Sequence, residues 1–368
     1  MKHYHMLIKS QFKPLFKRKS RINYEFSGVN SHYRPGAEFV IGGLAAMGSG
    51  CFTNPIDVVK IRLQLQGELE ARGSYTKLYK NTMHAAYVVA KHEGIFALQA
   101  GFIPAIAFQF VLNGVRLGVF NIAKKHELTL NANGQTSILK TALITGCAGA
   151  VGSILGSPLY LVICYNIFFS SYSGYTFSFN MKHMDLQFLQ VKTQLQAQAA
   201  STIAVGHQHH HSGTWPAFQK LWNEGKFRGL YRGWNAGVPR LFIGSATQLT
   251  MFSLMLDWMK YFNVCPENQI LATFWASFYG GTCVALTMQP FDVAATRLYN
   301  QGVDAKGKGL LYNGVIDALI KIAKVEGIFG LYKGTFPTWL RIAPHTVLCL
   351  VFYEEIDGIY SKLTSESQ

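Results

Sequence analysis

A ten-residue block, Pro55-Ile56-Asp57-Val58-Val59-Lys60-Ile61-Arg62-Leu63-Gln64, recurs along the chain and sets its architecture. An apolar, small-residue run from Phe39 to Phe52 leads into it. Its proline removes a backbone hydrogen bond and predicts a helix kink. Asp57 and Lys60, three residues apart, share a helical face. The second copy starts as Pro158-Leu159-Tyr160-Leu161-Val162, breaks off, and resumes at Val191-Lys192-Thr193-Gln194-Leu195-Gln196. The third is Pro290-Phe291-Asp292-Val293-Ala294-Ala295-Thr296-Arg297-Leu298-Tyr299. A Glu-Gly tail follows each copy, running from Glu93 to Gly101, Glu224 to Gly233 and Glu326 to Gly334. With residues 163–190 set aside, the two intervals between the prolines agree to within a residue. The pattern is a threefold repeat interrupted in its second unit.

A chain of 368 residues that is 49% hydrophobic and 14% charged is more apolar than a soluble domain of that size. The formal charge of +15 does not read as nucleic-acid binding, because no Arg/Lys stripe interleaved with aromatics appears. Basic loops and an anionic lipid or substrate account for it in a multi-span membrane protein. Cys51, Cys147, Cys164, Cys265, Cys283 and Cys349 form no disulfide framework or CxxC pair, so they read as small packing residues, and no metal is expected. Residues 1–36 form a basic extension, read as disordered or, alternatively, as an organelle-targeting peptide.

Six long helices are expected: about Ala37–Gln64, Phe102–Lys125, from near Ser137, Ala236–Tyr261, Gln269–Tyr299 and Phe336–Tyr360. These are long enough to cross a bilayer with tilt, since about 20 apolar residues suffice. A short amphipathic helix is expected near Thr82–His92. Gly146, Gly149, Gly152 and Gly156 make a close-packing face. Gln109, Asn113 and Arg116 form one polar stripe on an otherwise apolar helix. Arg240 with Gln248, and Arg341, mark the later helices. The run His207–His211 reads as a loop rather than a metal tract. Gly48-Ser49-Gly50 reads as helix packing, not a phosphate loop.

The blocks Pro-x-Asp-x-x-Lys-x-Arg and Glu-Gly-x-x-x-x-aromatic-Lys/Arg-Gly resemble the mitochondrial carrier family pattern (solute carrier family 25), over residues 37–360 apart from 163–190. Phe52-Thr53-Asn54-Pro55, Leu65-Gln66-Gly67-Glu68, Gln196 to Ala200 and Arg297 to Gln301 look most like its member 34/35 type, similar to the yeast oxaloacetate/sulfate carrier subgroup. The resemblance implies an all-α membrane protein in the mitochondrial inner membrane. Six tilted transmembrane helices would form three tandem two-helix repeats with pseudo-threefold symmetry around a central cavity. The repeats would cover 37–130, 136–262 and 268–362.

The resemblance also assigns roles. Asp57 with Lys192, and Asp292 with Lys60, would close a matrix gate, braced by Gln64 and Gln196. The third pair would be Tyr160 with Ala295, where both charges are absent together, which avoids an unpaired charge at a closing gate. Of the opposite, cytoplasmic gate only Lys124 with Glu354 remains as a pair. Gln109, Asn113, Arg116, Arg240, Gln248 and Arg341 fall in the substrate-contact regions. Arginine keeps its proton, and its planar fork suits carboxylate or sulfate oxygens. Gly233 and Gly334 match cardiolipin-binding tails, whereas Gln99-Ala100-Gly101 departs from the motif.

Taken together, these readings predict a monomeric, cofactor-free solute carrier and not an enzyme. It would move a small dicarboxylate, an oxaloacetate-like keto acid or sulfate by alternating access. A nucleotide carrier is the in-class alternative. A non-transporting scaffold or inactive isoform is the other, because residues 163–190 form an atypical insertion, read as a retained intron.

Overall fold

The computed structural model describes residues 37–71, 73–131, 137–155, 187–217, 220, 234–262, 269–304 and 309–365. Nine α-helices carry the described fold, in order α1 (Ala37–Leu65), α2 (Thr82–Glu93), α3 (Phe102–Lys125), α4 (Ile138–Leu155), α5 (Gln187–Ala197), α6 (Trp234–Tyr261), α7 (Gln269–Asn300), α8 (Val315–Val325) and α9 (Thr335–Ser365). Short 3₁₀ turns, Ile95–Gln99 and Ile328–Tyr332, follow α2 and α8.

The long helices close a ring: α1 packs on α3, α3 on α4, α4 on α6, α6 on α7, α7 on α9, and α9 returns to α1. Small residues permit the approach. A methyl group on Gly114 would lie 2.8 Å from the Phe39 carbonyl oxygen, so only glycine lets α1 and α3 come this close. Prolines 55, 239, 290 and 344 lie inside their helices and do not end them.

The ring is apolar outside and polar within. Val40, Phe52, Ile103, Leu139, Trp258, Leu286, Val351 and Ile359 are exposed, while Asp57, Lys60, Gln64, Gln109, Asn113, Lys192 and Asp292 are buried. That inversion suits a solvent of lipid chains rather than water. Among the described residues, Phe39–Leu65 and Ile95–Lys125 are long and apolar enough to cross a membrane.

Outside the ring, α2 starts where Asn81 accepts a hydrogen bond from the His84 backbone at 2.8 Å and stops at Gly94, φ 86°. The amphipathic α8 buries Val315, Ala318 and Ile322 and exposes Ile316 and Ile320. The second copy of the repeated block differs from the other two. Its Lys192 lies on α5, which begins at Gln187, inside the expected insertion, while Pro158–Tyr160, Gly156 and residues 1–36 lie outside the described residues.

Candidate functional site

Two carboxylates organise the inner surface of the ring at the C-terminal ends of α1, α5 and α7. Asp57 Oδ2 takes Lys192 Nζ at 2.8 Å and its Oδ1 takes Arg341 Nη1 at 2.7 Å. Asp292 Oδ2 takes Lys60 Nζ at 2.7 Å and its Oδ1 takes Arg240 Nε at 2.6 Å. The expected acid–base pairs are therefore in contact. Arg240 and Arg341, expected beside the substrate, sit on the same two acids. Ala295 is fully buried in an apolar cluster with Val293 and Leu298, so no charge is required at that corner.

Gln64 donates to Asp292 Oδ2 at 2.7 Å and accepts from Thr296 Oγ1 at 2.8 Å, bracing one pair directly. Gln196 does not touch the other pair. Its Nε2 donates to Asn54 Oδ1 at 2.9 Å, one turn before Asp57. The Asn54 amide also donates to Gln99 Oε1 at 3.0 Å, and Gln99 Nε2 to the Cys51 carbonyl at 3.2 Å. The glutamine that departs from the aromatic-basic-Gly tail thus locks the first tail onto α1.

Beside this layer lies a cavity enclosing about 840 Å³, its mouth included, lined by Asn113, Arg116, Gln248, Ser277, His345, Thr346, Phe120, Phe252 and Tyr353 among others. Arg116 donates from Nη1 to Gln248 Oε1 at 2.8 Å and from Nη2 to Asn113 Oδ1 at 2.7 Å. Among the described residues no carboxylate pairs with it. Gln109 lies just behind, 3.3 Å from His345 Nε2. Arg116 Nε, Arg240 Nη1 and Arg341 Nε are all buried without a hydrogen-bond acceptor. An unsatisfied guanidinium N–H is costly in a desolvated site, so this layer lacks oxygen acceptors.

Sequence reasoning did not single out His345, Ser49 or Thr53 for this site. The signal was present in part: His345 follows Arg341 by one helical turn and so shares its face. It also quoted, without pairing them, the residues that clamp the tails to the ring. Arg62 forks onto Glu93 at 3.0 and 2.7 Å. Arg297 forks onto Glu326, which Lys333 reaches as well at 2.6 Å.

Lys124 stands in the last turn of α3, and the side chain of Glu354 lies outside the described residues. Gly233 lies outside them too. Gly334 has φ 80°, and a methyl group there would come within 2.9 Å of Gln64 Cγ, so this glycine seats α9 against the Gln64 brace. The histidine run forms a bracket. The His207, His209 and His211 rings stack, His209 Nε2 meets the Asn300 carbonyl at 3.0 Å, and His211 Nε2 meets Gln194 Oε1 at 2.9 Å.

A polar, cation-rich shaft inside an apolar ring of helices is the layout of a membrane solute carrier. The family described as "Mitochondrial carrier protein" matches residues 31–129, 187–263 and 266–363. The chain belongs to the mitochondrial carrier family. It is 42% identical over 323 residues to human solute carrier family 25 member 35, covering 88% of this chain and 98% of that protein. It is 35% identical over 322 residues to the mitochondrial oxaloacetate transport protein of Saccharomyces cerevisiae, covering 86% and 87%. It is 33% identical over 329 residues to mitochondrial citrate transporter E of Aspergillus niger, covering 88% and 94%.

The matched intervals omit residues 130–186. Deleting 163–190 would leave Lys192 six positions after Pro158, whereas Lys60 follows Pro55 by five. Deleting 163–191 would give a spacing of five.

Proposed function

We propose that this protein is a multi-pass carrier of the mitochondrial inner membrane that moves a small anion with two acidic groups. A dicarboxylate, an oxaloacetate-like keto acid or sulfate fits. The observation that carries the reading is the charge of the shaft. Lys60, Lys192, Arg116, Arg240 and Arg341 face two carboxylates, Asp57 and Asp292, and three arginine N–H groups lack acceptors. A doubly charged anion supplies both the charge and the oxygens. The relatives named for oxaloacetate and citrate transport support this class.

Alternating access follows from the two layers. The Asp57 and Asp292 pairs form the matrix gate. Lys124 and Glu354, with the aromatic layer of Phe120, Phe252 and Tyr353, form the cytoplasmic one. Binding needs no covalent step. Gly334, with Gly233, would offer backbone N–H groups to cardiolipin, and the working unit is a monomer.

The test is reconstitution of two forms, the chain as given and one lacking 163–191. Uptake of labelled oxaloacetate, malonate and sulfate is then measured. Anion uptake whose KM is raised in Arg116→Gln is the expected result. Uptake confined to the shortened form would mark the longer one as inactive. No uptake of any of these anions by either folded form would overturn the anion assignment.

A further inference from the structure

Arg62 of α1, Gln194 of α5 and Arg297 of α7 occupy one position of the repeated block. Each donates to a main-chain carbonyl of the next unit around the ring. Arg62 Nε reaches Gln196 at 3.3 Å, Gln194 Nε2 reaches Tyr299 at 3.1 Å and Arg297 Nε reaches Gln64 at 3.2 Å. The two arginines also fork onto Glu93 and Glu326. Gln194 has no charge to offer a carboxylate, and Ala295 removes the acid–base pair from the same corner. Among the described residues no salt bridge joins α5 to α7.

Histidines fill the vacated place. The Tyr299 carbonyl only accepts, so Gln194 turns its NH₂ toward it and leaves Oε1 for His211, whose Nε2 donates across 2.9 Å. His209 Nε2 donates to the Asn300 carbonyl at 3.0 Å, and Asn300 Nδ2 donates back to the His207 carbonyl at 3.1 Å. Gln194, His211 and Asn300 are buried, so breaking these bonds without admitting water strands polar groups. A methyl group on Gly302, just past α7, would collide with the His207 ring, so a glycine there lets the run lie against this corner. The loop does not need the imidazoles for its own shape. In each repeat a glutamine holds the loop by its main chain: Gln66 on Tyr79, Gln198 on His211 and Gln301 on Tyr312. The side chains at that loop position are left to work elsewhere, and the Tyr79 hydroxyl crosses to the Ile203 carbonyl of the second unit at 2.7 Å.

We propose that the histidine run is the third strut of the matrix gate. His209 and His211 hold the second unit against α7 while the cavity faces the cytoplasm, and they part from it when the matrix side opens. They are positioning residues that act through Asn300 and Gln194 and touch no anion. The inference rests on the gate proposed above and extends it from two corners of the ring to three. Asp57 with Lys192 closes the corner between α1 and α5, Asp292 with Lys60 the corner between α7 and α1, and the histidines the corner between α5 and α7. Hydrogen bonds between neutral groups give way to water more readily than charged ones, so this corner resists opening least. A small change in the strut then moves the balance between the two access states.

The test is the KM for labelled malonate measured separately on the cytoplasmic and matrix faces of proteoliposomes, because the ratio of the two reports the balance between the open states. His209→Leu removes one strut bond at a part-exposed ring, and the fold should survive. The cytoplasmic-face KM is expected to rise relative to the matrix-face KM by about two- to tenfold, the factor one hydrogen bond carries. His209→Gln keeps an N–H at that place and should return the ratio to that of the unaltered protein. A residue that only stabilised its loop would lower the melting temperature and leave the ratio alone. His211→Leu should move the ratio in the same direction; should it fail to fold, the His209 pair decides. A folded His209→Leu with an unchanged ratio overturns the proposal. Lys60→Gln separates this outcome from failure of the gate itself. A shift there without one in His209→Leu sinks the strut alone, and no shift in either sinks the gate as well. If the unaltered protein takes up neither malonate, sulfate nor oxaloacetate, the anion reading fails, and this proposal with it.

Discussion

Arg240 Nε lies 2.6 Å from Asp292 Oδ1, on the carboxylate whose other oxygen holds Lys60 at 2.7 Å. Arg341 stands in the same relation to Asp57 and Lys192. On the proposed function, arginines placed to meet an anion share their acids with the lysines of the proposed gate. An anion that draws Arg240 and Arg341 away would then weaken that network and tie occupancy to opening. Asp292→Asn tests the network. It leaves Lys60 and Arg240 buried without a counter-charge, and losing one partner of a buried pair costs about 3–5 kcal/mol. Arg240→Gln should cost less, because Lys60 still neutralises Asp292. Thermal denaturation of both purified variants in detergent checks the order.

Arg116 is predicted to dominate affinity. It is held by two neutral amides and no carboxylate, so replacing it strands no buried acid, and the fold should survive. Arg116→Gln removes charge-assisted hydrogen bonds worth about 1.5–3 kcal/mol, a rise in KM of about 10- to 100-fold. Arg116→Lys should recover the charge but not the fork and fall between the two. Saturation curves for labelled malonate and sulfate check this.

Glu326 should matter more than Glu93, although both follow from the same Glu-Gly motif. Glu326 carries Arg297, Lys333 and the Leu69 backbone N–H, whereas Glu93 is more exposed and carries Arg62 and the Ala200 N–H. Glu326→Gln is expected to destabilise by about 3–5 kcal/mol and Glu93→Gln by less, read as shifts in melting temperature. The hydrogen bonds from Arg297, with its positive charge, hold the Glu326 carboxyl below its ordinary range despite burial. Its contribution is therefore complete above the unfolded value near 4.5 and is lost as pH falls through the lower folded value.

The helices were legible because period and composition agree: α1, α3, α6 and α7 begin and end within a few residues of the bounds read from apolar runs and their polar flanks. The pairs Asp57–Lys192 and Asp292–Lys60 were legible through the family resemblance, which pairs the acid of one repeat with the base of another, and the repeat only marked the positions. Arg240 and Arg341 on those same acids were not, since a helix stripe gives the face a side chain points from and not how far a long side chain reaches along the axis. Gln196 misled for a related reason. Its repeat position matches Gln64, but Asn54 competes for its amide. His345 escaped notice because a single histidine on an apolar helix has no period, and its hydrogen-bond partners come from α1 and α3.

The histidine bracket between α5 and α6 gives the last prediction, a loss of stability in mild acid. His209 donates from Nε2 to the Asn300 carbonyl, and His211 from Nε2 to Gln194 Oε1, with the three rings stacked. Burial pushes both His209 and His211 down to about 4. A base whose folded value lies below its unfolded value near 6.5 stabilises fully above that value. It loses that contribution as pH falls from about 6.5 to about 4, where the unfolded chain binds the proton and the bracket does not. Solvent screening at the part-exposed His209 limits its share to about 1 kcal/mol, whereas His211 is buried. The melting temperature of the purified protein should therefore fall across that window. His209→Gln with His211→Gln should flatten the fall, and an unchanged slope in the double variant would assign it to other groups.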